Sequence, residues 1–313
     1  MDTFLSWMGR GFVRLVQSLP LTLVARLGRC GGGLAFWIDA RHRNVARMNL
    51  AKCLGKEYSP AQIEALAREN FKRIGETFAC ALRTSSMTDA ELIPHFELGP
   101  LIFSGPEQPN RAVVAIGHFG NFELYARGGA LVPGYQFATT YRGLAQPALD
   151  RIFQDLREAS GCLYFERRTE AAELRKFMNQ QRVVLGLLSD QHAGNSGVRI
   201  PFFGHECSTS TAAALLALRY DCVLFTGFCF RTGLAKWRLE AGPRIPTHED
   251  GRPRPVAAIM TAVNSAFDAA GRRDPATWFW VHNRWKDRRI GRSAAGKSSA
   301  AASGGSEAIV PGA

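Results

Sequence analysis

The sequence has no long uncharged run. The longest, Gly128 to Tyr141, spans 14 residues and holds a proline and several polar groups. A membrane-spanning helix needs roughly 20 apolar residues, so none is expected. Arg10 and Arg14 interrupt any apolar segment of a cleavable signal peptide. The seven cysteines, Cys30, Cys53, Cys80, Cys162, Cys207, Cys222 and Cys229, contain no C-x-x-C pair. An odd count without that spacing reads as buried, reduced thiols in a cytoplasmic compartment, not a zinc ribbon or a disulfide framework. His42, His95, His192, His205 and His248 form no H-x3-H pair, so no metal site is expected. There is no G-x-S-x-G elbow and no G-x-G-x-x-G after a strand. No internal repeat is visible.

Acidic residues are scarce at both ends. Residues 1–52 carry Arg10, Arg14, Arg26, Arg29, Arg41, Arg43, Arg47 and Lys52 against only Asp2 and Asp39. Residues 284–297 carry Arg284, Lys286, Arg288, Arg289, Arg292 and Lys297 against Asp287. The whole chain has 39 Lys and Arg against 27 Asp and Glu, so these ends account for most of the net charge of +12. Basic ends attract polyanions, either nucleic acid or an anionic membrane surface. With 46% hydrophobic residues in a 313-residue chain, the body has ample material for one large core and is not disordered.

The first element is an amphipathic helix in which Phe4, Met8, Phe12, Leu15 and Leu19 recur at helical spacing until Pro20. It fits either a helix lying in a bilayer interface or a surface helix packed on the core. Ser59, Pro60 and Gln62 announce a capped helix whose stripe Ile63, Leu66, Phe71, Ile74, Phe78 and Leu82 is expected in the core. From residue 111 onward strands and helices alternate: strands at 112–116, 136–141, 162–165, 183–188, 222–230 and 237–239, with helices at 121–128, 147–159, 170–180 and 209–219 and a last one carrying Val256 to Phe267. This predicts an α/β fold: a mostly parallel central sheet with helices on both faces, preceded by an amphipathic helical N-terminal segment. Residues 1–40 form the interfacial segment, 41–290 the α/β domain, and 291–313, rich in Ala, Ser and Gly, a disordered tail.

The chemistry concentrates at Gly117-His118-Phe119-Gly120-Asn121-Phe122-Glu123. His118 follows a buried strand directly, and open α/β sheets place ligands at the carboxyl ends of strands. A bend at Gly120 would let Glu123 reach back to the imidazole. A His held through one ring nitrogen has the other free to accept a proton, which equips it to activate a hydroxyl. Asp190 ends another buried strand and faces the same side; it is expected to orient the loop through Gly194 and Gly197.

The segment also resembles the bacterial lipid A biosynthesis acyltransferases, the late lauroyl and myristoyl transferases of the lysophospholipid acyltransferase superfamily. Its His-x4-Glu is similar to their catalytic motif. Three further blocks follow in the family's order: Tyr141-Arg142 with Leu149-Asp150-Arg151, Arg157 and Gly161; Leu187 to Gln191 with Gly197-Val198, Pro201 to Gly204 and Ser208-Thr209; and Trp280 to Lys286. Two residues depart from the pattern, Asn283 in place of a basic residue and Phe122 where Trp is frequent. The resemblance implies transfer of an acyl chain from an acyl carrier protein or coenzyme A thioester, with no other cofactor, to a hydroxyl of a membrane glycolipid. His118 is then the general base and Glu123 its orienting acid. Backbone amides near Gly120 and Asn121, or Arg142, are the candidate oxyanion donors. Arg142 and Arg157 are candidates for acceptor phosphates, with a solvated face as the alternative for Arg157. Asp190 and Gln191 are further candidates near the substrate, and Phe202 and Phe203 for an acyl slot or for plain core packing. The implied place is the cytoplasmic face of a bacterial inner membrane, with acyl carrier protein, a glycolipid acceptor and an anionic membrane surface as partners.

Three alternatives stay open. The acceptor can be another membrane lipid. A hydrolase would use the same residues with water as acceptor. A nucleic-acid-binding protein would use the interleaved basic and aromatic residues from Trp280 to Arg289, although the neutral body argues against it.

Overall fold

The structure, a computed structural model, describes residues 2–99, 108–127, 132, 134–143 and 160–286, with the backbone alone for residues 2–6. The predicted helix 147–159 and the tail 291–313 lie outside the described residues.

Four helices open the chain: α1 (Asp2–Ser18), α2 (Leu21–Ile38), α3 (Ala40–Leu54) and α4 (Pro60–Thr84). Ser59 caps α4 in a full capping box with Gln62, as its sequence announced. Helix α2 runs through Gly31–Gly33 without a break. Glycine serves the contact between α2 and α4. A Cβ on Gly32 would sit 2.2 Å from the Phe71 carbonyl oxygen, and one on Gly75 would sit 2.2 Å from that of Gly28. The two backbones therefore touch along a seam that admits no side chain.

The apolar side of α1 faces outward. Trp7, Met8, Phe12 and Leu15 are all more than half exposed, while Gln17 ties the helix to the end of α4 through the Leu82 carbonyl and the Ser85 hydroxyl. The predicted stripe of α4 is only partly core. Ile63 and Phe71 are buried, but Phe78 is half exposed, and Asn70 and Glu76 are buried instead. Glu76 accepts hydrogen bonds from Arg29 (3.2 Å), Arg231 (2.8 Å) and the Ala235 backbone N–H (3.0 Å), so one buried carboxylate joins α2, α4 and the sheet.

After the short helix α5 (Asp89–Leu92) come β1 (Phe96–Leu98), β2 (Arg111–Ile116), a 3₁₀ turn (Phe122–Arg127), β3 (Gln136–Tyr141) and β4 (Leu163–Glu166). Then follow α6 (Ala171–Met178), β5 (Val183–Leu188), the hairpin β6 (Val198–Phe202) and β7 (His205–Thr209), and α7 (Ala212–Arg219). The long pair β8 (Val223–Gly233) and β9 (Lys236–Ile245), a small hairpin and α8 (Val256–Arg273) complete the domain. The hairpin β6–β7 was not foreseen in the sequence, and because Thr209 ends β7 the following helix begins only at Ala212.

Seven strands form one sheet in the order β1-β9-β8-β2-β5-β3-β4, parallel throughout except β8 against β9. Its central strands are buried on both faces, as the unbroken apolar runs required. Val113, Ala115, Leu185 and Leu187 point into a large core with α3, α4, α6, α7 and α8. Val114, Ile116 and Val184 point to the other face, where Phe122 and Tyr125 of the 3₁₀ turn pack.

Candidate active site

Strands β2 and β5 run parallel with Ile116 opposite Leu188. The ladder extends one step further, with the Ser189 N–H donating to the Ile116 carbonyl (2.9 Å). Two residues beyond each strand, His118 and Asp190 therefore emerge side by side. Asp190 Oδ2 accepts the His118 backbone N–H at 2.7 Å, and its Oδ1 lies 2.7 Å from His118 Nδ1. The indole Nε1–H of Trp278 donates to Oδ2, also at 2.7 Å. Asp190 is 1% exposed. Burial by itself would raise its carboxyl, but the facing imidazole, the His118 N–H and the indole outweigh it and hold the group at about 2. The ionised acid has no proton to give, so Nδ1 carries it and Nε2 keeps its lone pair.

The carboxylate on Nδ1 is thus Asp190, a correction to the expected pairing with Glu123. Nor is Asp190 chiefly a brace for the loop through Gly194 and Gly197. Its oxygens are turned to His118 and Trp278. Glu123 is exposed at the start of the 3₁₀ turn, in the wall of the cavity that His118 faces. Phe122 and Phe279 flank the imidazole, with ring centroids 4.6 and 5.7 Å away.

That cavity measures about 740 Å³, within the range of about 300–1,000 Å³ usual for small-molecule sites. Val114, Ile116, Val184, Gly186 and Leu188 line it from the sheet, so its floor is apolar. Polar groups gather at the strand ends. Gln191 Nε2 lies 3.3 Å from His118 Nε2, where it donates to the lone pair. Arg142 lines the cavity, and so does Arg167, which the sequence reading missed. Tyr141 pairs with Glu166 across β3 and β4, so the next residue on each strand is one of these arginines. Strand register was the signal that would have found both Arg167 and the role of Asp190.

Other expected residues fall elsewhere. The Gly120 N–H is directed to the Thr277 carbonyl (3.4 Å) and that of Asn121 to the Cys229 sulfur, so neither amide is available to an oxyanion. Gly120 instead has a structural role. It has φ +50°, and a Cβ there would lie 2.4 Å from the Cys229 carbonyl oxygen. Phe202 and Phe203 are buried among Trp278, Trp280 and Trp285 and do not line the cavity, so they form core and not an acyl slot. Arg157 lies outside the described residues.

The carboxy-terminal signature is internal. Trp280 and Arg284 are fully buried, and the Arg284 guanidinium donates to the carbonyls of Gln191 and Ser208 and to the Thr209 hydroxyl. Arg284 is therefore spent on internal hydrogen bonds, while Asn283 and Lys286 of this segment are exposed. Within the N-terminal cluster, Arg29 and Arg47 are likewise paired, with Glu69 and Glu76 and with Glu64. His282 Nε2 accepts the His192 N–H (3.0 Å). Burial pushes that imidazole down to about 4. All seven cysteines are free; six are buried, and Cys30 is exposed.

Residues 1–287 match the profile of the bacterial lipid A biosynthesis acyltransferases. The chain belongs to this family. It is 24% identical to the lipid A biosynthesis palmitoleoyltransferase of Escherichia coli (strain K12) over 304 residues, covering 93% of this chain and 94% of that protein. A lipid A biosynthesis acyltransferase of Shigella flexneri matches to the same extent. The lipid A biosynthesis lauroyltransferase of Escherichia coli (strain K12) is 24% identical over 295 residues, 92% of this chain and 93% of its own. This family member is accordingly an acyltransferase.

Proposed function

We propose that this acyltransferase moves a fatty acyl chain from an acyl carrier protein thioester to a hydroxyl of a lipid A precursor, at the cytoplasmic face of a bacterial inner membrane. The observation that carries the reading is the His118–Asp190 pair, whose Nε2, met by the Gln191 amide, faces a cavity with an apolar floor. The acceptor hydroxyl displaces the Gln191 amide from Nε2 and gives its proton to His118. Its oxygen attacks the thioester carbonyl, the carbon–sulfur bond breaks, and the imidazolium returns the proton to the departing thiolate. Asp190 steadies the imidazolium throughout. The Gln191 amide and the Arg142 guanidinium, both in the cavity lining, serve as the oxyanion donors, in place of the Gly120 and Asn121 amides. Arg142 and Arg167 suit a phosphate of the acceptor. Glu123 contacts substrate from the cavity wall. The names of the relatives support the lipid A precursor as acceptor.

Access to a lipid hydroxyl comes from the N-terminal layer. Among the described residues no helix is long and apolar enough to cross a membrane. Helices α1 and α2 nevertheless expose Trp7, Phe12, Leu15, Leu34, Trp37 and Ile38, with Arg10, Arg14, Arg26 and Arg41 also at the surface. Apolar side chains interspersed with arginine suit a helix seated in an anionic interface.

The test supplies purified protein with vesicles containing anionic phospholipid and lipid A precursor, and a panel of acyl carrier protein and coenzyme A thioesters. Mass spectrometry is expected to show one added acyl chain on the precursor, lost in His118→Ala. Thioester cleavage that proceeds equally without any lipid acceptor would overturn the reading in favour of a hydrolase.

A further inference from the structure

The residues that align the acid–base pair do not all come from the sheet. Trp278, whose indole holds Asp190 Oδ2, lies in a segment between Ala276 and Arg284 that belongs to no helix and no named strand. The Trp278 and His282 carbonyls already accept the N–H groups of Trp280 (2.9 Å) and Arg284 (2.8 Å). Two buried asparagines add side-chain donors along the same segment. Asn70 of α4 donates both amide hydrogens, one to the Ala276 carbonyl (2.9 Å) and one to that of Trp278 (2.6 Å). Asn49 of α3 repeats the arrangement on Trp280 (2.8 Å) and His282 (2.9 Å). Four alternate carbonyls are thereby gripped by two side-chain amides, on a segment whose bridge to neighbouring backbone is the single antiparallel step between Phe119 and Trp278 among the described residues.

We infer that Asn70, supported by Asn49, is a positioning residue for catalysis: it fixes the backbone of Trp278 so that the indole lands on Asp190 and Asp190 on His118. The inference rests on the proposed role of His118 as general base. Packing alone does not account for an asparagine here. Asn70 is 0% exposed among apolar residues such as Phe71 and Ala67, and its Oδ1 has no hydrogen-bond partner among the described residues. Leucine has the same heavy-atom count and branching and carries no oxygen to leave unsatisfied. A side-chain amide has two hydrogens on one nitrogen and so can grip two carbonyls at once. Because α4 is locked to α2 along the glycine seam, the N-terminal helices that we assign to the membrane also set the alignment of the imidazole.

The experiment compares Asn70→Leu and Trp278→Phe, singly and combined, with the full-length wild-type enzyme. It measures kcat, KM, the pH–rate profile, and the His118 titration by NMR. Asn70→Leu is expected to lower kcat by about 10–100-fold, the size of loss that follows removal of a partner orienting a metal-binding side chain, with KM little changed. The His118 titration and the acidic limb of the rate profile are both expected to move to lower pH, because the imidazolium loses a firmly placed counter-ion. The losses in the double variant should not add, since both substitutions break one chain of contacts. Additive losses, or an unmoved His118 titration in a folded Asn70→Leu protein, would overturn the inference. Should that variant fail to fold, Asn70→Ser, which keeps one donor, carries the same comparison. The NMR titration needs no turnover, so it decides the role of Asn70 even where acyl transfer itself proves to be the wrong reaction.

Discussion

Nδ1 of His118 lies 2.7 Å from Oδ1 of Asp190, a residue 72 positions away in the chain, and the same carboxylate accepts the His118 backbone N–H. One buried acid thus fixes the imidazole ring and the peptide that carries it. With the indole of Trp278 on the second oxygen, the acid is held ionised at neutral pH.

Asp190→Asn leaves the volume unchanged but removes the charge that selects the Nδ1–H tautomer. It should lower kcat by about 10²–10⁴-fold with little change in KM. Glu123→Gln should act differently, raising KM, because that carboxylate faces the cavity. Steady-state kinetics on the two variants separates the roles. A loss confined to kcat in Glu123→Gln, with Asp190→Asn near wild type, would reverse the assignment.

Gly75→Ala places a methyl group against the Gly28 carbonyl oxygen and the backbone of Gly32. No side-chain rotation relieves such a clash, so α2 must shift from α4. Overpacking of this kind costs about 1–3 kcal/mol. Calorimetry should show a lowered Tm, and weakened seating of the N-terminal layer should lower vesicle binding too.

Glu76→Leu strips the buried acceptor from Arg29, Arg231 and the Ala235 N–H. Removing one partner of a buried ion pair typically costs about 3–5 kcal/mol; the partial exposure of both arginines places this case at the lower end. Denaturant unfolding measures it. A midpoint equal to that of wild type would show that the cluster adds nothing.

Acid should destabilise the fold in two stages. Burial lowers His282 from 6.5 to about 4, with Asp190 opposing and Arg284, His118 and Lys286 reinforcing the shift. Between those values the unfolded chain takes up a proton that the folded one refuses, so stability falls as pH drops through this window. Asp190, lowered from 3.8 to about 2, continues the loss below it. Thermal melts across pH 7 to 4 should show the first stage in the wild-type protein and a flatter curve in His282→Asn.

Much of this molecule was legible in one dimension. Period-two and continuous apolar runs located strands such as Val183–Leu188, the Ser59–Gln62 box fixed the start of α4, and the strand-end position of His118 marked the site. These signals are local, because backbone periodicity and capping depend on neighbours a few residues apart. What the tertiary structure decided is which groups meet. Parallel register set Asp190 beside His118 and made Arg167 the neighbour of Arg142, while folding carried Arg284 inward and spent no exposed surface on Phe202 and Phe203. Asn49 and Asn70 looked like ordinary helix residues until the Trp278 segment crossed them. Hydrogen bonds and ion pairs between distant segments depend on register and helix approach, and neither is written in the spacing of residues along the chain.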